Sequence, residues 1–199
     1  MKAIFELDQS ILIKHNLNLI EAYILHFVLV NLEYNQKGKG SKVKEEDKPV
    51  ILEQLSFLHI SKRTLDKHIR NINELMFSFQ LDFYKIHTLN NDIDVFGYPI
   101  SVLEKHNLDL KDMLIINYIN NASYSYHFYH IQKDNHKYTY ISHSHFLKDY
   151  PILELSPSGL KRRINVLIAK DLVERISLYD DTTKSRKNYY RIHIEELNS

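Results

Sequence analysis

The stretch ILELSPSGLKRRINVL, residues 152–167, carries the pattern that decides the fold. Ser156 followed by Pro157 is typical of a helix start, because serine caps free amide groups and proline at the first helical position has no amide hydrogen to satisfy. Leu160 and Ile164 then recur at helical spacing, between basic residues. The stretch therefore predicts a capped helix with one apolar side and one basic side.

The same pattern occurs earlier in the chain, in FLHISKRTLDKHIRNI at 57–72, at an offset of 95 residues. A second matching pair precedes these stretches: KHNLNLIEAYILHFV begins at Lys14 and KHNLDLKDMLIINYI begins at Lys105, 91 residues later. The growing offset places four extra residues in the second copy. An internal repeat at half-length favours two domains, which we predict over 1–98 and 99–199.

The KHNL stretches predict the first main helix of each copy. Asn18 and Asp109 are suitable N-cap residues, and each is followed three positions later by an acid, Glu21 or Asp112, as in a capping box. Apolar residues then recur at helical spacing. Each half is therefore expected to start with an amphipathic helix.

The segment that follows this helix differs between the copies. In the first copy, NQKGKGSKVKEEDKP (35–49) is charged and has no apolar period, which indicates a flexible loop. Its lysines could touch phosphate, but a solvated connector is the favoured interpretation. In the second copy, YSYHFYHIQKDNHKYTYI (124–141) alternates aromatic and polar residues around KDNH, which predicts an inserted β-hairpin.

A helix-turn-helix pattern and a hairpin follow in both copies. PVILEQLSF and ISHSHFLKDY predict a short helix that ends at a turn before each basic helix. Alternating strands come next. In the second copy these are LVERISLY and NYYRIHIEE around the polar turn DDTTKSRK (180–187), and in the first copy FSFQLDFYKIHT and IDVFGY around LNND (89–92).

In this order of elements, the chain resembles two tandem winged-helix domains. The stretch YTYISHSHFLKDYPILELSPSGLKRRINVLIAKDLVERI (138–176) is similar to the winged helices of phage replication proteins, plasmid replication initiators and bacterial regulators, with Asp171 where those families often have glycine. The resemblance implies an α+β, mainly helical fold. It also implies sequence-specific binding to double-stranded DNA, by a plasmid or phage replication initiator or a transcriptional regulator.

Polar residues on the two basic helices and on the second hairpin are the candidate DNA contacts. Arginine and asparagine can each pair bidentately with a base, and lysine and arginine attract phosphate. The competing interpretations are a merely solvated helix face and a basic loop without a partner. The candidates are Ser158, Lys161, Arg162 and Asn165 on the second helix, Lys184, Arg186 and Lys187 at the hairpin tip, and Lys62, Arg63, Thr64, Lys67 and Arg70 on the first helix.

The charge balance gives no overall attraction to nucleic acid, so any DNA-binding surface is expected to be local, with the stronger contacts in the second copy. The net charge is +1 overall, with 12 Lys+Arg against 13 Asp+Glu in residues 1–96 and 14 against 12 in 97–199. Asp66 lies among the basic residues of the first helix and opposes phosphate. If the two copies contact successive major grooves, the bound site spans about 20 base pairs. The alternative is a protein-interaction module or inhibitor that does not bind DNA and uses the aromatic segment YSYHFYH.

Other classes of function are disfavoured by the sequence. The chain has no cysteine, which excludes disulfides and thiolate metal sites. Among its 12 histidines, His143 and His145 could share a strand face, but packed or surface histidines are the favoured interpretation.

The remaining motifs point away from catalysis and membranes. No ordered catalytic or phosphate-loop motif is present, so we expect neither an enzyme nor a cofactor. No bilayer-spanning stretch or leader is recognised, and we expect a cytoplasmic protein without a membrane partner. Besides DNA, the expected partners are a second copy of the chain or replication and transcription proteins. His15 and His106 in the repeat are interpreted as packing residues or backbone donors.

Overall fold

The computed structural model describes residues 9–32, 42–78 and 94–193, and every structural statement below concerns these residues. The chain divides into two compact units, Met1–Ile93 and Asp94–Ser199. The described part is an α+β structure in which helices predominate and one antiparallel sheet has four strands.

The described residues of the first unit are helical. Helices α2 and α3 both pack on α4, and the core between them includes Phe27, Ile51, Leu65 and Ile72, all almost fully buried. Short 3₁₀ turns precede and follow α3. The helices are α1 (Gln9–Lys14), α2 (Leu19–Asn31), α3 (Lys48–Gln54) and α4 (Lys62–Ser78).

The second unit repeats this order of helices and adds strands. Its α6 packs against β4, β6 and α8, so the sheet and the helices share one core. The elements are β1 (Asp94–Val95), β2 (Tyr98–Pro99), α5 (Ile100–His106), α6 (Leu110–Tyr124), β3 (His130–Lys133), β4 (His136–Tyr140), α7 (His143–Asp149), α8 (Pro157–Ala169), β5 (Val173–Asp180) and β6 (Ser185–Ile192).

The repeated KHNL sequence ends one helix and starts the next. Asn16 and Asn107 follow the short helices α1 and α5 and adopt left-handed conformations, with φ of 56° and 46°. The next amide group, of Leu17 or Leu108, donates back to a carbonyl five residues earlier at 2.8 Å, which closes the helix end. Asparagine tolerates this conformation better than most residues. Each copy thus has a short helix before its main helix, which the sequence pattern did not predict.

The predicted capping boxes are confirmed at the starts of α2 and α6. The amide group of Glu21 donates to Asn18 Oδ1 at 3.0 Å, and the amide group of Asn18 donates to Glu21 Oε2 at 2.9 Å. Asp109 and Asp112 make the equivalent pair of bonds, at 3.0 and 3.3 Å. These reciprocal bonds fix where the main helix of each copy begins.

The expectation that α2 and α6 are amphipathic is wrong. Every residue from Glu21 to Leu29 is buried, and so are nearly all of those from Asp112 to Ile119. A helix that is enclosed on all sides carries apolar residues all round. Both helices are therefore central core elements.

A helix, a tight turn and a second helix occur in both units. A 3₁₀ turn follows α3 and α7, and it ends at His59 or Glu154, each with a left-handed φ of 51°. The predicted serine caps then start α4 and α8, because Ser61 and Ser156 each accept the amide hydrogen of the third residue onward at 3.1 Å. These equivalent turns confirm the second half of the repeat.

The four strands of the second unit form a single antiparallel sheet in the order β3-β4-β6-β5. Strands β3 and β4 form the predicted hairpin, and its turn residues Asp134 and Asn135 have positive φ, as a tight two-residue turn requires. Strand β4 also pairs with β6, with Thr139 opposite Tyr190. The inserted hairpin therefore extends the sheet of the C-terminal hairpin and is not a separate element.

The hairpin predicted for the first copy lies largely outside the described residues. Its predicted first strand starts at Phe77, but Phe77 and Ser78 belong to helix α4, and the rest of that strand and the LNND turn fall on 79–93. The described remainder forms a very short hairpin of its own, in which Val95 pairs with Tyr98 around a turn at Phe96 and Gly97. This hairpin belongs to the second unit, because the division between the units falls after Ile93.

Candidate nucleic-acid interface

Helix α8 separates an apolar side from a polar side. Leu160, Ile164 and Leu167 are buried in the core of the second unit. The sequence of α8, PSGLKRRINVLIA, contains no aspartate or glutamate. Its exposed side carries all four candidates predicted on this helix, Ser158, Lys161, Arg162 and Asn165.

Arg163 is turned away from this exposed side and into an ion pair that the sequence did not reveal. Its guanidinium Nη1 lies 2.7 Å from Asp112 Oδ1, and its Nη2 lies 2.8 Å from Asp109 Oδ2. Burial and the neighbouring Asp109 carboxylate raise the pKa of Asp112, against the opposing effect of Arg163. Position 163 lies three residues after the buried Leu160, and residues at this spacing are neighbours on a helix surface. The spacing could therefore have indicated that Arg163 is partly buried.

The exposed side of α8 is connected to the sheet through Arg175 on β5. The guanidinium Nη1 of Arg175 donates to Asn165 Oδ1 at 3.0 Å. Burial raises the pKa of Tyr190 and the nearby charge of Arg175 opposes this rise, and the Tyr190 hydroxyl group lies 2.8 Å from His143 Nε2 at the start of α7. Four elements thus meet around a connected set of polar side chains. Arg175 and His143 were not among the predicted DNA contacts.

The protonation of His143 is disfavoured at this position. Burial lowers the pKa of His143, and the nearby charges of Arg175 and Lys161 lower it further. The ring also stacks on Tyr190, with centroids 6.0 Å apart. The imidazole therefore belongs to the polar network as a predominantly neutral group near pH 7, since its ordinary pKa is 6.5.

The two faces of the β5–β6 hairpin carry different side chains. Side chains alternate along a strand, so Arg175, Ser177 and Tyr179 share one face with their partners Tyr190, Asn188 and Arg186. Ser177 donates to Asn188 Oδ1 at 2.6 Å on this face. Because Arg175 reaches α8 from the same face, Arg186 lies on the side of the hairpin that continues the exposed surface of α8.

Lys187 lies on the opposite face of the hairpin. Its ammonium group forms an ion pair with Asp180 and lies 5.5 Å from the centre of the Tyr140 ring. The hydrogen bond from Lys187 holds the pKa of Asp180 well below its usual range. The three predicted basic residues of this hairpin are therefore not brought together on one surface.

The turn of this hairpin is also shorter than predicted. Ser185 already belongs to β6, so Arg186 and Lys187 are strand residues and only Lys184 lies in the turn. Asp180 Oδ1 accepts the amide hydrogen of Thr182 at 2.9 Å, which closes the turn, and Lys184 takes a left-handed φ of 50°. An aspartate that accepts a backbone hydrogen two residues onward is a common turn device.

Helix α4 exposes the predicted basic residues of the first unit. Thr64 is half-buried, and its hydroxyl group lies 2.9 Å from Ser61 Oγ within the helix cap. The other candidates, Lys62, Arg63, Lys67 and Arg70, are exposed.

Asp66 changes the electrostatics of α4 relative to α8. At the offset of 95 residues, Asp66 corresponds to Lys161. Its carboxylate binds Lys48 Nζ at 2.8 Å, and Lys48 also contacts Glu45 at 2.7 Å. The hydrogen bond from Lys48 lowers the pKa of Asp66. The first unit therefore holds a carboxylate paired with Lys48 where the second presents an exposed lysine.

The segment before α3 packs against the same side of α4. The amide group of Val43 donates to Asn73 Oδ1 at 2.8 Å, and the Val43 side chain is buried. The described end of the predicted flexible loop is thus held in place. A groove of about 760 Å³ lies beside it, and charges of both signs line it, including Lys62, Asp66 and Arg70.

Exposed tyrosines gather from the last residue of α6 to the residue before β3. Tyr124, Tyr126 and Tyr129 are 74%, 88% and 65% exposed. The Tyr129 ring lies 6.2 Å from Tyr189, which in turn lies 5.8 Å from Tyr140, between ring centroids. These rings belong to the sheet face that Lys187 occupies, opposite the face of Arg175 and Arg186.

Neither a metal site nor a membrane-spanning helix is found among the described residues. No group of three or more histidine, aspartate or glutamate side chains there is arranged to hold a metal ion. His143 and His145 lie on helix α7, and not on the strand face that their spacing suggested. None of the helices in these parts of the chain combines the length and the apolar character needed to cross a bilayer. Comparison of the chain with protein-family models, with curated proteins and with solved structures finds no match.

Proposed function

We propose that the protein binds double-stranded DNA sequence-specifically, through α8 and the β5–β6 hairpin of its second unit. In this role α8 enters the major groove and the hairpin acts as the wing that contacts the adjoining backbone. The proposal includes action as a plasmid or phage replication initiator or as a transcriptional regulator. Both roles require the same recognition surface.

The observation that carries the proposal is the composition of the exposed side of α8. Lys161, Arg162 and Asn165 are presented to solvent on a helix without acidic residues, while Arg163 is neutralised from behind by two aspartates. Arginine and asparagine are the side chains best suited to reading guanine and adenine. A merely solvated helix has no need to separate its cations in this way.

The wing supports the same proposal through its geometry. Arg186 shares a sheet face with Arg175, which contacts α8 through Asn165. Its positive charge therefore lies on the same side as the exposed face of α8, where it would meet a phosphate of the bound duplex. Lys187 is directed away and is paired with Asp180, so we expect it to contribute little.

The first unit is expected to bind DNA more weakly. At the position of Lys161 it has Asp66, which is paired with Lys48 and offers phosphate no positive charge. The residues Lys62, Arg63, Lys67 and Arg70 remain on the exposed side of α4, so a contact with the backbone is expected without strong selectivity. The second unit then supplies most of the sequence discrimination.

Equilibrium binding to duplex DNA at several salt concentrations tests the proposal. We expect the affinity to fall steeply with salt, because each neutralised phosphate releases counterions. Arg162→Glu and Arg186→Glu should abolish binding, whereas Lys62→Glu should weaken it less. Lys187→Glu is the matched control in the wing. Absence of binding at low salt, or equal losses for Arg162→Glu and Lys62→Glu, would contradict the proposal.

Footprinting on DNA of the element that encodes the protein gives the site itself. If both units contact successive major grooves, the protected site spans about 20 base pairs. A protected site of about 10 base pairs would assign recognition to the second unit alone.

A second candidate function is a protein-interaction module that does not bind DNA. It is favoured by the exposure of Tyr124, Tyr126 and Tyr129, since tyrosine is enriched among residues that dominate protein interfaces. Replacement of the three tyrosines by serine separates the candidates. DNA affinity should survive these changes if the wing and α8 form the binding surface, and it should be absent from the start if this second function holds.

A further inference from the structure

Asn165 is held by a hydrogen bond before any ligand arrives. Its Oδ1 atom accepts from Arg175 Nη1 at 3.0 Å, although the Asn165 side chain is exposed on α8. An exposed asparagine normally rotates freely and can exchange the positions of its amide oxygen and nitrogen. The bond from Arg175 removes this ambiguity, because a guanidinium group donates only and therefore selects the oxygen.

The remaining hydrogen-bonding capacity of Asn165 suits one base. The bound Oδ1 retains one lone pair, and Nδ2 retains its two donors. Adenine offers a donor at N6 beside an acceptor at N7 in the major groove, and asparagine pairs with both through one acceptor and one donor. Arg175 leaves that pattern intact and fixes its orientation.

We propose that Arg175 is the positioning residue that orients Asn165 for recognition of an adenine in the major groove. The inference rests on the proposed function and adds a specificity-determining role for a residue outside α8. Orientation in advance raises discrimination, because less side-chain freedom is lost when the base is bound.

Arg175 is itself held from behind. Its partner across the sheet is Tyr190, whose side chain is 1% exposed and whose hydroxyl group His143 contacts at 2.8 Å. Buried support of this kind keeps a polar side chain in a single orientation. The network therefore connects the buried interior of the sheet to a base-reading position on α8.

The test measures base discrimination by the full chain. A preferred duplex is selected from a random library with the wild-type protein, and binding is then measured to duplexes in which each base pair is changed singly. Asn165→Ala should identify the base pair that Asn165 reads, by a loss of discrimination of roughly 5- to 150-fold at that position. That base pair should contain adenine.

Arg175 variants then decide the inference. Arg175→Met and Arg175→Lys should both lower discrimination at the base pair identified by Asn165→Ala, and the double variant Asn165→Ala/Arg175→Met should discriminate no worse than Asn165→Ala. Arg175→Lys keeps the charge but lacks the planar guanidinium group, so the salt dependence should stay at the wild-type value. Circular dichroism confirms that each variant is folded. Arg186→Met is the control, and it should weaken all duplexes equally.

The contrary outcomes separate the two proposals. If Arg175→Met weakens all duplexes equally and reduces the salt dependence by about one counterion, Arg175 is a phosphate contact and the positioning role is overturned. The same holds if the Asn165 position selects a base pair without adenine. If the wild-type protein binds no duplex, the proposed function itself fails and the positioning role fails with it.

Discussion

Arg163 on α8 donates to Asp112 at the start of α6, over a distance of 2.7 Å. Asp112 belongs to the capping box of α6, so one carboxylate serves both the helix start and the contact with α8. The contact lies on the side of α8 opposite to the proposed DNA surface. It fixes the rotation of α8 about its own axis, and with it the side chains that face solvent.

The first unit contains the equivalent contact in different chemistry. His68 Nδ1 lies 2.9 Å from Glu21 Oε1, and Asn71 Nδ2 donates to the same oxygen at 2.6 Å. Glu21 corresponds to Asp112 at the first repeat offset, and His68 corresponds to Arg163 at the second. The two units therefore make this contact at equivalent positions but with different residues.

Removal of the Arg163 side-chain charge should destabilise the second unit. Arg163→Met leaves the partly buried Asp112 without its cation, and we expect a loss of about 2–3 kcal/mol, below the range for fully buried pairs because Arg163 is partly exposed. Urea unfolding followed by circular dichroism measures the change.

The adjacent arginine provides the matched control for that substitution. Arg162→Met should change stability by less than about 0.5 kcal/mol, because the side chain is exposed. It should reduce DNA affinity instead. Equal unfolding midpoints for the two variants would show that the ion pair of Arg163 contributes nothing measurable.

Acid should destabilise the first unit through Glu21. Burial opposes ionisation of Glu21, but hydrogen bonds from His68, Asn18 and Asn71 outweigh it and lower its pKa below the ordinary value of 4.5. The unfolded state therefore binds more protons below about pH 4.5, and stability falls as the pH falls through the folded-state pKa.

Glu21→Gln tests this pH dependence. The variant should be less stable than wild type at pH 7, where the ionised carboxylate contributes fully, but its urea midpoint should fall less between pH 5 and 3. Glu53→Gln, on the exposed side of α3, should keep the wild-type acid sensitivity. Parallel curves for wild type and Glu21→Gln would exclude a role for this carboxylate.

His143 should produce a separate pH dependence in the second unit. Burial, then the charges of Arg175 and Lys161, lower its pKa below 6.5, while Tyr190 contacts its ring nitrogen. Below about pH 6.5 the unfolded state takes up the proton first, so stability decreases as the pH falls from 6.5 towards 5. His143→Gln should flatten the thermal midpoint over this range. His145→Gln, exposed on the same helix, should not.

The left-handed residue in the repeated turn should tolerate glycine but not alanine. Asn107 has φ of 46°, a conformation that costs a residue with a Cβ atom about 1–2 kcal/mol and glycine nothing. Asn107→Ala should therefore lower the thermal midpoint of the second unit by about 4–8 °C for each kcal/mol of stability lost. Asn107→Gly should keep or raise the midpoint. Calorimetry measures both. Ser101→Ala, exposed in α5, is the control, and a midpoint for Asn107→Ala equal to that of Asn107→Gly would exclude strain at this turn.

Features that depend on neighbouring residues could be predicted from the sequence. The caps at Asn18 and Ser156 bond to amide groups within the next three residues. The alternating strands around DDTTKSRK likewise need only local pairing. The exposed residues of α8 follow from its helical period. Such features depend on short-range chemistry, which the sequence displays directly.

Features that depend on distant residues could not be predicted in the same way. Arg163 and Lys161 are both basic residues of α8, and the ion pair that holds Arg163 inward depends on Asp112, 51 residues before it. The face of Lys187 depends on the residue at which the hairpin turn ends, because a shift of one residue reverses every side chain of a strand. Neither the sequence of β4 nor that of β6 indicates by itself that the two strands pair.

The pairing of β4 with β6 also has a consequence for how the chain folds. Thr139 lies opposite Tyr190, so the sheet is completed only when two strands that are 51 residues apart in the sequence pair with each other. Contacts at such separations form slowly, since loop closure must be accomplished before the strands stabilise one another. During synthesis, β4 cannot pair with β6 until β6 has emerged. The four-stranded sheet of the second unit should therefore be completed in a late step of folding.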